Sequence, residues 1–192
     1  PEKGLIKLIN STNKIKNVLD LGCGDGRNSM FLASSGLKVV AIDDSSAGLK
    51  KLKNSIKGQD DIIKRIYLKK ADLKTIKIER NEFDLVIMIW IFHEIGAHGV
   101  KHIITQAKLS TKLLGINYLS FFLLRNGTYM RKGCYYPDEL AIIKQYKGWK
   151  LLKKKKVLIT HNHITPSSKK RSTKHRHYIC HLLFQKLTNQ SK

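Results

Sequence analysis

The residues with the plainest chemical potential are Gly22-Cys23-Gly24-Asp25-Gly26. They follow the apolar run Asn17–Leu21 and lead into a helical pattern over Asn28–Ser35, so the glycine-rich turn joins a strand to a helix. Gly22, Gly24 and Gly26 at such a turn let backbone N–H groups approach a nucleotide-like ligand that a β-carbon would hold away. Asp43 stands about 20 positions on, at the end of the next apolar run, where a carboxylate can take the two hydroxyls of a ribose. The dinucleotide fingerprint G-x-G-x-x-G/A fails at its last position, which is Arg27, and an acid, Asp20, precedes the loop. The bland alternative is a glycine-rich turn with no ligand; the strand, helix and distant acid argue against it.

Further candidates lie outside the loop. His93 and Glu94 follow a strongly apolar run directly, where the pocket of an open α/β sheet opens. His93 reads as a general base or, failing that, as a wall or helix-start residue. Arg27 is a cation at a helix start, which the helix dipole disfavours, and suggests an acidic partner or an anionic substrate nearby. Cys23 reads as a packed small residue rather than a nucleophile. His161-x-His163 and His175-x-His177 read as polar strand-edge residues, with a metal site as a weaker alternative because i,i+2 residues on a strand share a face.

These residues need positioning elements, and the pattern supplies them. Helices are predicted over Gly4–Asn10, Asn28–Ser35, Ser46–Lys57, Val100–Leu114 and Pro137–Tyr146. Strands are predicted over Asn17–Leu21, Lys38–Ile42, Ile66–Lys70, Phe83–Trp90, Ile116–Leu124, Trp149–Ile159 and Tyr178–Gln185, with a basic loop over Thr165–His175. The alternation predicts a doubly wound, mostly parallel seven-stranded α/β sheet with helices on both faces. Two closing strands without a crossover helix predict an antiparallel C-terminal hairpin. One domain over residues 1–192 is expected, without linker or repeat.

In order along the chain, Asp20-Leu21-Gly22-Cys23-Gly24-Asp25-Gly26-Arg27-Asn28, Asp43, Ala71-Asp72-Leu73 and Phe83-Asp84-Leu85-Val86-Ile87 resemble the motifs of the class I S-adenosylmethionine methyltransferases. Gly22–Ser29, Gly133–Leu140 and Tyr146–Trp149 are most similar to the compact tellurite-resistance (TehB-like) group, over nearly the whole chain. The resemblance implies a Rossmann-like fold and S-adenosyl-L-methionine as cofactor. It implies cofactor contacts at Asp20, Gly22, Cys23, Gly24, Gly26, Arg27, Asn28, Asp43, Asp44, Ala71, Asp72, Leu73, Met88 and Ile89. It also implies substrate handling by His and Arg near the last two strands, where the matching positions are His161 and His177, with His163 and Arg176 as neighbours. Members of this group carry a helical segment ahead of the first strand, so a short or missing lid is expected here.

Composition bounds the partners. Three separated cysteines argue for a reducing cytoplasm, and no apolar run approaches the roughly 20 residues of a membrane span. The chain carries 37 Lys and Arg against 14 Asp and Glu, a formal +23. That excess fits either lysines dispersed over the surface or a polyanion partner, with Lys153–Lys156 and Ser167–Arg176 as phosphate contacts. The favoured expectation is methyl transfer to a small nucleophile such as a thiol or metalloid oxyanion. Transfer to RNA or protein is the alternative, and a cofactor binder without catalysis is a third reading. Met88-Ile89-Trp90-Ile91 lacks the Asn/Asp-Pro-Pro-aromatic element of amino-group methylation.

Overall fold

The computed structural model describes residues 1–124, 131–163 and 173–188, with backbone alone for 161–163 and 173–175. Strands β1 (Asn17–Leu21), β2 (Lys38–Asp43), β3 (Ile66–Lys70), β4 (Phe83–Ile89), β5 (Thr111–Leu123), β6 (Trp149–His163) and β7 (Thr173–Lys186) form one sheet in the order β3-β2-β1-β4-β5-β7-β6. β1 to β5 run parallel, and β7 lies antiparallel between β5 and β6. The predicted fold class is borne out. The insertion of β7 between β5 and β6 follows from its pairing with both neighbours, which strand count alone does not reveal.

Helices α1 (Lys3–Asn10), α2 (Arg27–Ser34) and α3 (Ser46–Ser55) cover one face. There Leu5, Leu32 and Leu52 pack with Val18, Leu85, Ile87 and Tyr118. A short α4 (Asp60–Ile63) leads into β3, and α5 (Phe92–Ser110) and α6 (Glu139–Gln145) cover the other face. That core joins Leu19, Leu21, Val86 and Met88 to Ile103, Ile104, Ala107 and Tyr146. β1 and β4 bury side chains toward both faces, and β4 is accordingly apolar at every position but Asp84. Among the described residues no helix is long and apolar enough to cross a membrane.

Several boundaries differ from the sequence expectation. The helix predicted over Val100–Leu114 begins at Phe92, bends where Gly96 takes φ 70° and ψ 172°, and ends at Ser110. A glycine can turn there without a β-carbon clash, so two short helical segments read as one. β5 starts at Thr111 and carries an irregularity before Leu85 pairs with Ile116. α6 starts at Glu139 rather than Pro137, and Asp138 caps it by accepting the Ala141 N–H at 3.0 Å. Trp90 leaves the strand, with φ 60°. β6 and β7 extend past Ile159 and before Tyr178, so Thr173–His175 belong to a strand; the rest of the predicted basic loop lies outside the described residues.

At the amino ends of the strands, Asp84 ties three elements together. Its carboxylate accepts the N–H groups of Asn17 at 2.8 Å and Lys16 at 3.0 Å, and pairs with Lys112 at 2.9 Å. Burial opposes its charge, but these donors outweigh that and hold the carboxyl below its ordinary range. Asp84→Ala should therefore cost about 1–3 kcal/mol in denaturant unfolding. The wild-type contribution is present above the ordinary carboxyl range and lost as acid protonates the group. An unchanged midpoint would contradict this role.

Candidate functional site

At the opposite end, the β1–α2 turn is built by a chain of backbone bonds. The Ile42 carbonyl accepts from both Gly22 at 2.8 Å and Cys23 at 3.1 Å, and Gly26 N–H closes on the Cys23 carbonyl at 2.9 Å. Gly22 has φ 79°, and a β-carbon there would lie 2.0 Å from Ile91 Cγ2. Gly24 has φ 56°, and its missing β-carbon faces open space. Gly22 is thus required by packing, while Gly24 leaves the loop open to a ligand. Gly26 sits against Leu52, and Cys23 is buried with its thiol pushed far up, chiefly by burial and then by Asp20 and Asp43. That environment suits packing, not nucleophilic attack.

The acids stand around this turn. Asp43 ends β2 and accepts the N–H of Gly24 at 2.7 Å and of Ser45 at 2.8 Å, clamping the loop to the start of α3. Asp20 is buried beside α2 and accepts the Ser29 hydroxyl at 2.6 Å. Burial raises its pKa to about 7, with Ser29 working against the shift and Asp43 adding to it. Ala71 N–H bonds to the Asp43 carbonyl at 3.0 Å, which brings Ala71-Asp72-Leu73 alongside. Asp72 is exposed, and Leu73 is buried near Gly22 and Ile91. Asp44 is exposed beside Asp43. Met88 and Ile89 are buried in the two opposite cores, and Asn28 holds the Glu2 N–H at 3.0 Å, anchoring α1.

Beyond the carboxyl ends of β4 and β5 the structure assembles an aromatic cluster. Arg27 lies 4.8 Å over the Trp90 ring, in place of the acidic partner that its position suggested. Phe122 stacks 5.9 Å from Trp90 and lies 5.0 Å from both His93 and His177. His93 Nε2 is 3.1 Å from Glu94, whose other oxygen binds Arg131 at 2.6 Å. Burial lowers the His93 pKa, Glu94 opposes this, and Arg131 reinforces it, so the imidazole is neutral near pH 7.

Three buried polar atoms without a partner, Trp90 Nε1, His93 Nδ1 and Ser120 Oγ, lie at this end of β4 and β5. Such atoms are costly to leave unpaired, and two others, Glu139 Oε2 and Trp149 Nε1, lie away from this end of the sheet. Sequence patterning missed Trp90 and Phe122 because aromatic residues in apolar strands read as core. The positive φ of Trp90 is visible only in the fold.

The C-terminal candidates are only partly gathered here. His177 joins the cluster through Phe122, while Arg176, one residue earlier on the strand, is exposed and turned to the other face. The backbone of His161 pairs with that of His175, and the side chains of both, with His163, lie outside the described residues. Among the described residues no group of His, Cys, Asp or Glu could hold a metal ion. Lys153–Lys156 lie on the free edge strand, and the strand period splits them. Lys154 and Lys156 pair with Glu139 at 3.4 and 2.7 Å, and edge lysines also discourage strand pairing between molecules.

Comparison with known proteins gives the fold and the family. The chain is 32% identical over 88 residues to the Escherichia coli O-antigen chain terminator bifunctional methyltransferase/kinase WbdD, covering 45% of this chain and 12% of that protein. It is 30% identical over 102 residues to TehB of Haemophilus influenzae, covering 53% of this chain and 34% of that protein. The chain thus spans a minor part of these relatives. The crystal structure of Haemophilus influenzae TehB superposes with TM-score 0.82 at 20% identity, over 97% of this chain and 62% of that one. A Methanosarcina mazei SAM-dependent methyltransferase superposes with TM-score 0.69 at 16% identity, over 95% and 98%. The model of the tellurite resistance protein TehB family matches residues 5–171, which include the glycine turn, the acids around it and Trp90, His93 and Phe122 of the aromatic cluster, and the chain belongs to that family.

Proposed function

We propose that the chain is an S-adenosylmethionine-dependent methyltransferase acting on a small nucleophile, a thiol or a metalloid oxyanion such as tellurite or selenite. The observation that supports this most is the placement of the aromatic cluster and its unpaired polar atoms beside the open glycine turn. The residues of the turn fit the cofactor. Gly24 presents open backbone, Asp43 offers carboxylate oxygens to ribose hydroxyls, and Asp20 offers a buried acid to a cationic group. Asp72 stands exposed at the adenine station that the family motif implies. When bound, the cofactor supplies an electrophilic methyl group carried on a sulfonium.

The chain's own residues do the rest. Trp90 and Phe122 exclude water and fix the acceptor for in-line approach, which lowers the barrier by orientation. Arg27 stands where an anionic acceptor would be neutralised, and His177 packs on Phe122 at the same cluster. Glu94 orients His93 through Nε2, which leaves Nδ1 to take the proton of a thiol acceptor. An oxyanion acceptor, already nucleophilic, needs no such base.

The test is product analysis after incubation with S-adenosylmethionine and alkyl thiols, aryl thiols, tellurite or selenite. Phe122→Ala should reduce turnover by at least about tenfold while leaving cofactor affinity within about twofold. His93→Ala should slow thiols more than oxyanions. Unchanged turnover in Phe122→Ala would remove the cluster from the acceptor site.

A further inference from the structure

The face of the sheet that carries α1 also carries a cavity of about 740 Å³, bordered at one side by Arg27 and Trp90 of the aromatic cluster. Its volume falls within the roughly 300–1,000 Å³ range of small-molecule sites. Cross-strand pairing places Val157 opposite Ile179 and Lys153 opposite Leu183, and these with Ile159 make an apolar floor below a basic edge.

The charge around this floor has one sign. Glu2 is the only acid lining the cavity among the described residues. Its carboxylate accepts the Tyr118 hydroxyl, accepts the Leu5 N–H at 2.9 Å, and lies 3.8 Å from His181 Nδ1. The Glu2 side chain is only 10% exposed, so its charge is answered within the wall. Lys3, Lys7, Arg27, Lys153 and Lys155 are exposed on the cavity border. None of them forms an ion pair among the described residues. Their neighbours Lys154 and Lys156 face the other way and are held by Glu139.

An apolar floor bounded by unpaired cations complements an amphipathic anion. Its position beside Trp90 places one end of such a ligand at the aromatic cluster. We propose that this cavity binds an organic anion with an apolar body, of the alkyl or aryl carboxylate class, and that this ligand is the body of the methyl acceptor. The second clause rests on the methyltransferase reading; the first stands without it.

The test uses the full chain and 8-anilinonaphthalene-1-sulfonate, an apolar anion whose fluorescence reports its burial, displaced by decanoate, decanol or acetate. Saturable binding at one site is expected, with decanoate displacing at least tenfold better than decanol or acetate. Lys153→Glu with Lys155→Glu, both exposed changes that the fold should tolerate, should weaken decanoate at least tenfold and leave decanol unchanged. Val157→Glu should weaken both ligands. S-adenosylmethionine affinity, measured by calorimetry on each variant, should stay within twofold.

No saturable dye binding, or equal decanoate affinity in the double lysine variant, would overturn the cavity proposal while leaving the methyltransferase reading intact. So would a dimer in gel filtration that Val157→Glu dissociates and decanoate leaves intact, since the face would then belong to a second copy. Decanoate binding without any cofactor binding would keep the cavity and overturn the reading on which the acceptor clause rests. A decanoate-derived thiol that is methylated no faster than a short thiol would overturn that clause alone.

Discussion

Asp43→Ala is expected to weaken S-adenosylmethionine binding by about 100-fold in calorimetry, about 2.7 kcal/mol. Two losses combine. The ribose loses a charge-assisted acceptor, and the glycine turn loses the clamp between Gly24 N–H and Ser45 N–H. Asp43→Asn separates them, because an amide oxygen can still accept one of the N–H groups while offering the ribose no charge. It should recover part of the thermal stability lost in the alanine variant but little of the affinity. Wild-type affinity in Asp43→Ala would exclude the turn as the cofactor site and, with it, the functional reading.

The second large effect concerns Asp20. Its carboxyl is buried, with a pKa raised to about 7 against 3.8 for an ordinary aspartate. The folded protein therefore holds this proton more tightly than the unfolded chain. The contribution to stability is complete below the unfolded pKa and is lost as pH rises through the folded one. About three units correspond to a contribution on the order of 4 kcal/mol, most of it gone by pH 8.

Thermal unfolding of the free protein should accordingly weaken from pH 4 to pH 8 by most of this component, and Asp20→Asn should flatten that profile. A bound cationic cofactor favours the ionised carboxylate, so binding at pH 6 should release up to about one proton. Calorimetry in two buffers of different ionisation enthalpy reads this directly. Asp20→Asn should abolish the release and weaken the cofactor. An equal proton count in wild type and variant would assign the linkage to another group.

Much of the arrangement was legible before folding. The loop Gly22–Gly26 and the strand-end acids are local features, because backbone approach and a carboxylate at a strand terminus need only short sequence windows. The alternation of strand and helix patterns likewise fixed a doubly wound sheet and an antiparallel close. Arg27 stands out in the sequence because it contradicts the helix dipole, but its partner, the Trp90 ring, is 63 residues away in the chain and leaves no sign in the pattern. The helix expected over Val100–Leu114 ends at Ser110 because apolar spacing continues into β5, and its start at Phe92 lies beyond the Gly96 break, which interrupts the pattern.

The sequence alone therefore determined the proposed cofactor end: a glycine turn after a strand, with acids at fixed offsets, whose chemistry is carried by backbone and by single residues. The tertiary structure decided the other end. Trp90, His93, Phe122 and His177 come from three strand ends and one helix start, and only the pairing order β4-β5-β7 brings them within ring contact. The same order split the lysine run across two faces. Burial beside α2, which no residue pattern near Asp20 encodes, lifted its carboxyl toward neutrality. Contacts between distant segments depend on which edges pair, and pairing is a property of the whole sheet.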